Sequence, residues 1–217
     1  MKIIVVLLLL IVNFCAAGYC HEEIDGISQQ ARKCVDIANE KSAAGDFAAS
    51  KAQLDKAIEF DPDSYKLYEM RGNVKAALSD YSGALQDYGL SIKLNAKNEG
   101  VFVNRASLKF ALEDYEGSVK DAGKAIKLYP YIAAAYLARG NSNTMLGKPA
   151  KALKDFDRAL KLEPENPNIY FSKAYAQAAL GKYGQAVENC RKSIELDPLF
   201  EEAKEYLKEL LIKTEGK

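Results

Sequence analysis

From Ala31 onward the sequence repeats with a fixed period of 34 residues and no insertion. The phrase G-D-F-A-A-S at 45–50 returns as S-D-Y-S-G-A at 79–84, E-D-Y-E-G-S at 113–118, G-K-P-A-K-A at 147–152 and G-K-Y-G-Q-A at 181–186. A second phrase follows each one, from A-I-E-F-D-P to S-I-E-L-D-P, and ends on Pro62, Ala96, Pro130, Pro164 and Pro198. A unit this short cannot bury its own apolar face, so successive units must stack and share a core. Few folds meet that condition.

Within each unit, apolar and small residues recur three and four apart, the spacing of a helix face, and no strand-like alternation occurs. Tyr68, Gly72 and Lys75 form one stripe; Ala84, Tyr88 and Ser91 form another after a turn. Each unit reads as two antiparallel helices, and the chain as all-α. The first helix is expected to end at Leu78 and Ser79, Leu112 and Glu113, Leu146 and Gly147, and Leu180 and Gly181. Gly147 and Gly181 suit a left-handed turn residue, and Pro149 suits the first turn of a second helix, where a missing amide proton matters little.

Counting from the first residue of each unit, position 8 is Ala38, Gly72, Ala106, Gly140 and Ala174. Position 20 is Ser50, Ala84, Ser118, Ala152 and Ala186, and position 27 is Ala57, Ser91, Ala125, Ala159 and Ser193. Small side chains there let helices approach closely. This pattern, with proline at position 32 and larger residues at 4 and 24, resembles the tetratricopeptide repeat family. The resemblance implies a right-handed superhelix, an α-solenoid of antiparallel helix pairs. The units would be 31–64, 65–98, 99–132, 133–166 and 167–200, preceded by a lead-in at 19–30 and followed by a capping helix and tail at 201–217. Ala122, at position 24 of the third unit, is undersized for the pattern. Cys34 and Cys190, at positions 4 and 24, read as small buried hydrophobes, four units apart and too far for a disulfide.

Position 7 reads Ile37, Arg71, Arg105, Arg139 and Lys173, and position 23 reads Gln53, Asp87, Asp121, Asp155 and Asn189. Arginine and aspartate occur together, isoleucine comes with neither charge, and lysine comes with asparagine. Both positions border the inward stripe, where an unpaired guanidinium is very unfavourable. The expectation is three structural ion pairs across the hairpins: Arg71 with Asp87, Arg105 with Asp121, and Arg139 with Asp155.

By resemblance, the first helices of the repeats line a concave groove that receives a peptide or partner helix. The residues facing it would be Asn39, Lys66, Glu69, Asn73, Val103, Asn104, Ser107, Phe110, Leu137, Asn141, Met145, Phe171 and Tyr175, with Val35 beside them. The family's carboxylate clamp needs lysines and an arginine. Asn73 and Asn104 match it, but Glu69 stands in place of a lysine, and Ala134 and Ala138 replace the other lysine and the arginine. A glutamate repels an acidic terminus, so a neutral or apolar segment is the expected ligand. Asparagine can both donate to and accept from a peptide backbone. Phe110, Phe171 and Tyr175 would anchor apolar side chains, and packing against neighbouring helices is the competing role for Phe110 and Phe171.

The opening M-K-I-I-V-V-L-L-L-L-I-V-N-F-C-A-A-G has the layout of a signal peptide over 1–18, and its apolar run is short for a bilayer span. Export to a periplasm, a secretory lumen or the extracellular space is expected, with membrane anchoring by an uncleaved segment as the alternative. Lys plus Arg and Asp plus Glu balance at 30 each, so no global field draws nucleic acid. His21 is the one histidine, and no phosphate-cradling glycine loop occurs, so neither a nucleophile–histidine site nor a metal site is expected. The reading is a non-catalytic scaffold without cofactors that binds a protein or peptide partner. A self-associating structural component and a secretory-pathway co-chaperone are the alternatives.

Overall fold

The computed structural model describes residues 26–215. The apolar N-terminal run, Cys15, Cys20 and His21 lie outside the described residues. Among those described there are helices and no strands: α1 Gln29–Ala43, α2 Phe47–Phe60, α3 Tyr65–Ala77, α4 Tyr81–Leu94, α5 Glu99–Ala111, α6 Tyr115–Leu128, α7 Ala133–Met145, α8 Pro149–Leu162, α9 Pro167–Ala179, α10 Tyr183–Leu196 and α11 Glu201–Glu215. The second helices start at 47, 81, 115, 149 and 183, and the first helices from α3 onward at 65, 99, 133, 167 and 201. Both series advance by 34 residues, the period of the sequence.

Each turn between paired helices has a left-handed residue at the same register position: Gly45, Ser79, Glu113, Gly147 and Gly181, with φ of 78°, 63°, 63°, 69° and 72°. Glycine fills three of the five without steric penalty; Ser79 and Glu113 do so against the preference of an L side chain. The following aspartates Asp46, Asp80 and Asp114 accept from the amides of Ala49, Gly83 and Gly117, capping α2, α4 and α6. Lys148 and Lys182 stand in that place before α8 and α10 and provide no side-chain cap.

The described residues fall into two compact units, the first ending at Leu112 and the second starting at Glu113. In the first, α1 to α5 pack each on its sequence neighbour. Leu54 and Leu67 fill its centre between the small residues Ala31, Ala38 and Ala57. The lead-in is part of this packing: Ser28 caps α1 and donates from its amide N and Oγ to Asp61 Oδ2 at 2.8 and 2.7 Å. In the second unit, α6 to α11 also pack each on its neighbour, and Phe156 and Ile169 are completely buried among alanines.

Helix α11 is half of a further repeat. It buries Ala203 and Leu210, one period beyond the buried Ile169 and Ala176 of α9. Lys208, exposed, stands one period beyond the buried Ala174. A charged residue thus stands where α9 has a small buried one.

Candidate interaction surface

Position 7 supplies a cation in every repeat but the first, where it is Ile37, and the structure shows what holds Arg71, Arg139 and Lys173. Arg71 Nε and Nη2 donate to Asp87 Oδ2 and Oδ1, both at 2.8 Å, in a bidentate pair. Two further partners were not foreseen from the sequence. Lys75 Nζ lies 2.8 Å from Asp87 Oδ2, and Arg71 Nη1 reaches back to Asp55 Oδ1 of the preceding repeat at 2.8 Å. Asp87, 2% exposed in its side chain, is therefore held by two cations, and Arg71 by two carboxylates. The hydrogen bonds it donates to Asp87, opposed by burial and reinforced by Asp55, hold the Arg71 guanidinium well above its usual range. Burial pushes Asp55 up, but hydrogen bonds from Lys51 and Arg71 outweigh it and leave the carboxyl below the usual range.

Arg139 makes the same fork with Asp155, at 3.0 Å through Nε and 2.7 Å through Nη2, and its guanidinium lies over the Tyr136 ring at 5.7 Å. The Asp155 hydrogen bond, again opposed by burial, raises its pKa. Gly123 occupies the register position that Asp55 has for Arg71, so Arg139 gains no second carboxylate. Arg105 belongs to the first unit, where it lies over the Phe102 ring at 5.8 Å; Asp121 belongs to the second, where it is buried. Lys173 turns away from Asn189 and pairs with Asp157 of the preceding repeat at 2.7 Å. Asn189 instead donates to Gln177 Oε1 at 2.9 Å. Arg71 and Arg139 are thus struts, each held by a carboxylate of its own hairpin.

On the first-helix face of the first unit, the polar residues satisfy one another. Asn104 Nδ2 donates to Glu69 Oε1 at 3.1 Å and to Asn73 Oδ1 at 3.2 Å; Asn98 Nδ2 donates to the other oxygen of Glu69. Tyr88, from the second helix, donates its hydroxyl to Asn73 Oδ1 at 2.8 Å. Glu69 and the carbonyl of Asn73 are engaged before any ligand arrives. Lys66, Asn39 and Ser107 are half-buried on the same helices, whereas Val35, Val103 and Phe110 are core residues, each 5% exposed. Packing, the competing role for Phe110, is the one it has.

In the second unit, Leu137 and Asn141 are half-buried on α7 and Met145 is 46% exposed. Four-residue spacing places the three along one line of the helix. Asn141 has no hydrogen-bond partner among the described residues. Phe171 and Tyr175 on α9 are already occupied. The Phe171 ring packs on Phe200 at 5.0 Å and on Tyr206 of α11 at 5.8 Å, and Tyr175 packs on Tyr206 at 5.5 Å. Burial raises the pKa of the Tyr206 phenol. Tyr206 lies one period, taken three times, beyond Asn104, and it touches Phe171 and Tyr175 as Asn104 touches Glu69 and Asn73. That register was available in the sequence and identifies Tyr206 as the contact that closes the last repeat.

A tandem array of helical hairpins, with arginine struts inside and a row of amide and apolar side chains along its first helices, defines a helical-repeat protein built to present a surface. Three family models described as tetratricopeptide repeat match at residues 35–98, 133–166 and 156–188. The chain belongs to the tetratricopeptide repeat family. Solved structures share its fold. A tetratricopeptide repeat protein from Parabacteroides merdae superposes with a TM-score of 0.74 at 20% identity, over 86% of this chain and 74% of that one. A thermophilic one from Thermus thermophilus gives 0.68 at 18% identity, over 84% and 99%. YrrB, described as having an unusual peptide-binding site, gives 0.66 at 21% identity, over 82% and 92%. No curated protein sequence matches the chain.

Proposed function

We propose that the protein is a non-catalytic scaffold that holds a partner through a neutral or apolar peptide segment on its first-helix face. One observation carries this reading. Asn141 is half-buried between Leu137 and Met145 with neither its donors nor its acceptor engaged, unlike the interlocked Asn73 and Asn104. A free amide beside apolar side chains suits a peptide backbone flanked by an apolar residue. The engaged carboxylate of Glu69 makes the face of the first unit a poor receptor for an acidic terminus. Family membership and the fold shared with YrrB support a peptide ligand.

Selection from a random peptide library on the purified chain tests the reading. Selected peptides are expected to be poor in acidic residues and to bind Asn141→Ala with Met145→Ser at least about tenfold more weakly. Equal affinity for that variant refutes the assignment. In this reading the protein acts after export by its N-terminal apolar segment, and fractionating cells that express the tagged full chain checks the compartment.

A second reading, self-association, is favoured by Leu199 and Ile212, 84% and 72% exposed beside and on the last helix. Light scattering on Leu199→Ser with Ile212→Ser decides it: a fall in mass relative to the parent chain supports self-association, and an unchanged monomer rejects it.

A further inference from the structure

The second helices of two successive repeats carry charge that the fold does not use. Lys120, Lys124 and Lys127 on α6 and Lys154, Arg158 and Lys161 on α8 occupy the same three register positions, since each member of the second trio follows its counterpart by 34 residues. Spacings of four and three put each trio on one face of its helix, about 10 Å long at a rise of 1.5 Å per residue. The five lysines are exposed, Arg158 is half-buried, and none of the six has an ion-pair partner among the described residues. Both helices pack on α7, so the trios belong to adjacent layers of one compact unit.

The carboxylates of the same helices are neutralised or placed apart. Asp155 is held by Arg139, Asp157 by Lys173, and Asp121 is buried. Glu116 sits in the first turn of α6, where a negative charge complements the helix terminus. Other repeats do not share the pattern: α10 has Glu188, Lys192 and Glu195 in these positions, with Lys192 Nζ 2.6 Å from Glu195. An aromatic pair adjoins the cations. Tyr129 and Tyr131, 48% and 62% exposed, meet edge to face at 5.5 Å, and the Arg158 guanidinium lies 6.0 Å from the Tyr131 ring.

We propose that this α6 and α8 face is a peripheral docking surface for a bilayer rich in anionic lipid. Five of the six cations are lysines, compact point charges suited to phosphates spread over a surface; arginine forks would suit fixed bidentate recognition. Exposed tyrosines beside them match the preference of amphipathic rings for the headgroup level. No helix among the described residues is long and apolar enough to cross a membrane, so these residues engage the surface alone. The chain has zero net charge, so the attraction is local to this face and falls off within a Debye length.

Sedimentation of the full chain with vesicles tests the assignment, using phosphatidylcholine alone or with about 30% phosphatidylserine at about 0.1 M salt. Binding to the anionic vesicles is expected to exceed binding to neutral ones at least about tenfold and to weaken as salt rises. Lys124→Glu, Lys154→Glu and Lys161→Glu together should weaken it by on the order of 100-fold or more. The same three lysines changed to Gln give a milder loss and serve if charge reversal disturbs folding, whereas Lys56→Glu with Lys93→Glu in the first unit should leave binding unchanged. Equal partition to both vesicles, binding insensitive to salt, or triple variants that bind like the parent chain overturn the proposal. Stronger retention by heparin or duplex DNA than by anionic vesicles also overturns it, in favour of a soluble polyanion. Peptide binding at Asn141 should survive the lysine substitutions, so failure here is separable from failure of the scaffold reading.

Discussion

Gly140 lies directly under the ring of Phe156: a methyl group built on its Cα would meet Phe156 Cε1 at 2.5 Å. Gly72 and Tyr88 repeat the relationship at 2.7 Å. Where the second helix brings an aromatic ring at position 24, the first helix has no side chain at position 8. Where position 24 is Leu54, Ala122 or Cys190, position 8 is alanine. Gly140→Ala is therefore expected to lower stability by about 1 to 3 kcal/mol, overpacking against a ring with no exposed surface outweighing the better helix propensity of alanine. Adding Phe156→Leu should recover part of the loss, because Ala38 with Leu54 is a native solution. Urea unfolding of the two single variants and the double variant measures the coupling.

The turn at Ser79 is strained in a way that the matching turns at Gly147 and Gly181 are not. Its φ of 63° brings Cβ toward the following carbonyl, an arrangement that disfavours L residues by about 1 to 2 kcal/mol. Ser79→Gly should stabilise the chain by about 1 kcal/mol, less whatever the unfolded state gains in freedom from glycine. A rise in the urea midpoint with an unchanged slope is the expected result.

Ser91 and Ser193 occupy the same register position but differ in satisfaction. Ser193 Oγ donates to the carbonyl of Pro167 at 2.9 Å, whereas Ser91 Oγ is buried with no partner. Ser193→Ala should cost about 1 kcal/mol, while Ser91→Ala should be neutral or stabilising, because it removes a desolvated hydroxyl that nothing compensates. Thermal unfolding of both variants under one condition makes the comparison.

Legibility differed by the range of the relationship. The period of the sequence located the turns at Ser79, Glu113, Gly147 and Gly181, because spacing along one helix is a local property. Arginine at position 7 with aspartate at position 23 was readable, since Arg71 with Asp87 and Arg139 with Asp155 each lie within one repeat. Asp55 and Asp157 were overlooked as partners because they serve Arg71 and Lys173 of the next repeat, and only the stack brings them together. Lys75 was nearer to hand: it stands four residues after Arg71 on the same helix face. The exchange between positions 8 and 24 was present in the glycines and aromatics, but each position taken alone reads as "small" or "large". The residues of the first-helix face follow from the family resemblance, yet the chemistry of that face depends on engagement. Asn73, Asn104, Phe171 and Tyr175 all find internal partners, and composition gives no warning of that.

The network around Arg71 gives the chain an acid-sensitive element. The folded-state pKa of Asp55 lies below its ordinary 3.8, so its contribution is fully present above that pH and is lost as pH falls through the folded value. The carboxylate is 36% exposed in its side chain, and solvent screening keeps the contribution small. As pH falls below about 4, the parent chain should lose stability more steeply than Asp55→Asn. Asp155 offers the sharper test at neutral pH. It is the one carboxylate that Arg139 has, so Asp155→Ala should cost about 3 kcal/mol, and a double-mutant cycle with Arg139→Ala should show coupling of about 1 kcal/mol or more.

Cys190 reports on the closing helix. Its thiol is buried beneath α11 and donates to the carbonyl of Ala203 at 3.0 Å, and burial pushes its pKa up to about 11. At about pH 8, three units lower, roughly one thiol in a thousand would be ionised even if reagent could reach it. Alkylation of Cys190 in the native chain should therefore be far slower than that of the partly exposed Cys34. Tyr206→Ala removes the ring that packs on Phe171 and Tyr175, and with it much of what holds α11 down. In that variant α11 should detach more often than the rest of the unit unfolds, and Cys190 labelling should accelerate while the labelling of Cys34 stays unchanged. Mass spectrometry of timed alkylation reads both sites in one experiment. Acceleration at both cysteines would mean that the aromatic cluster stabilises more than its own helix, and no acceleration at Cys190 would show that α11 stays seated without Tyr206.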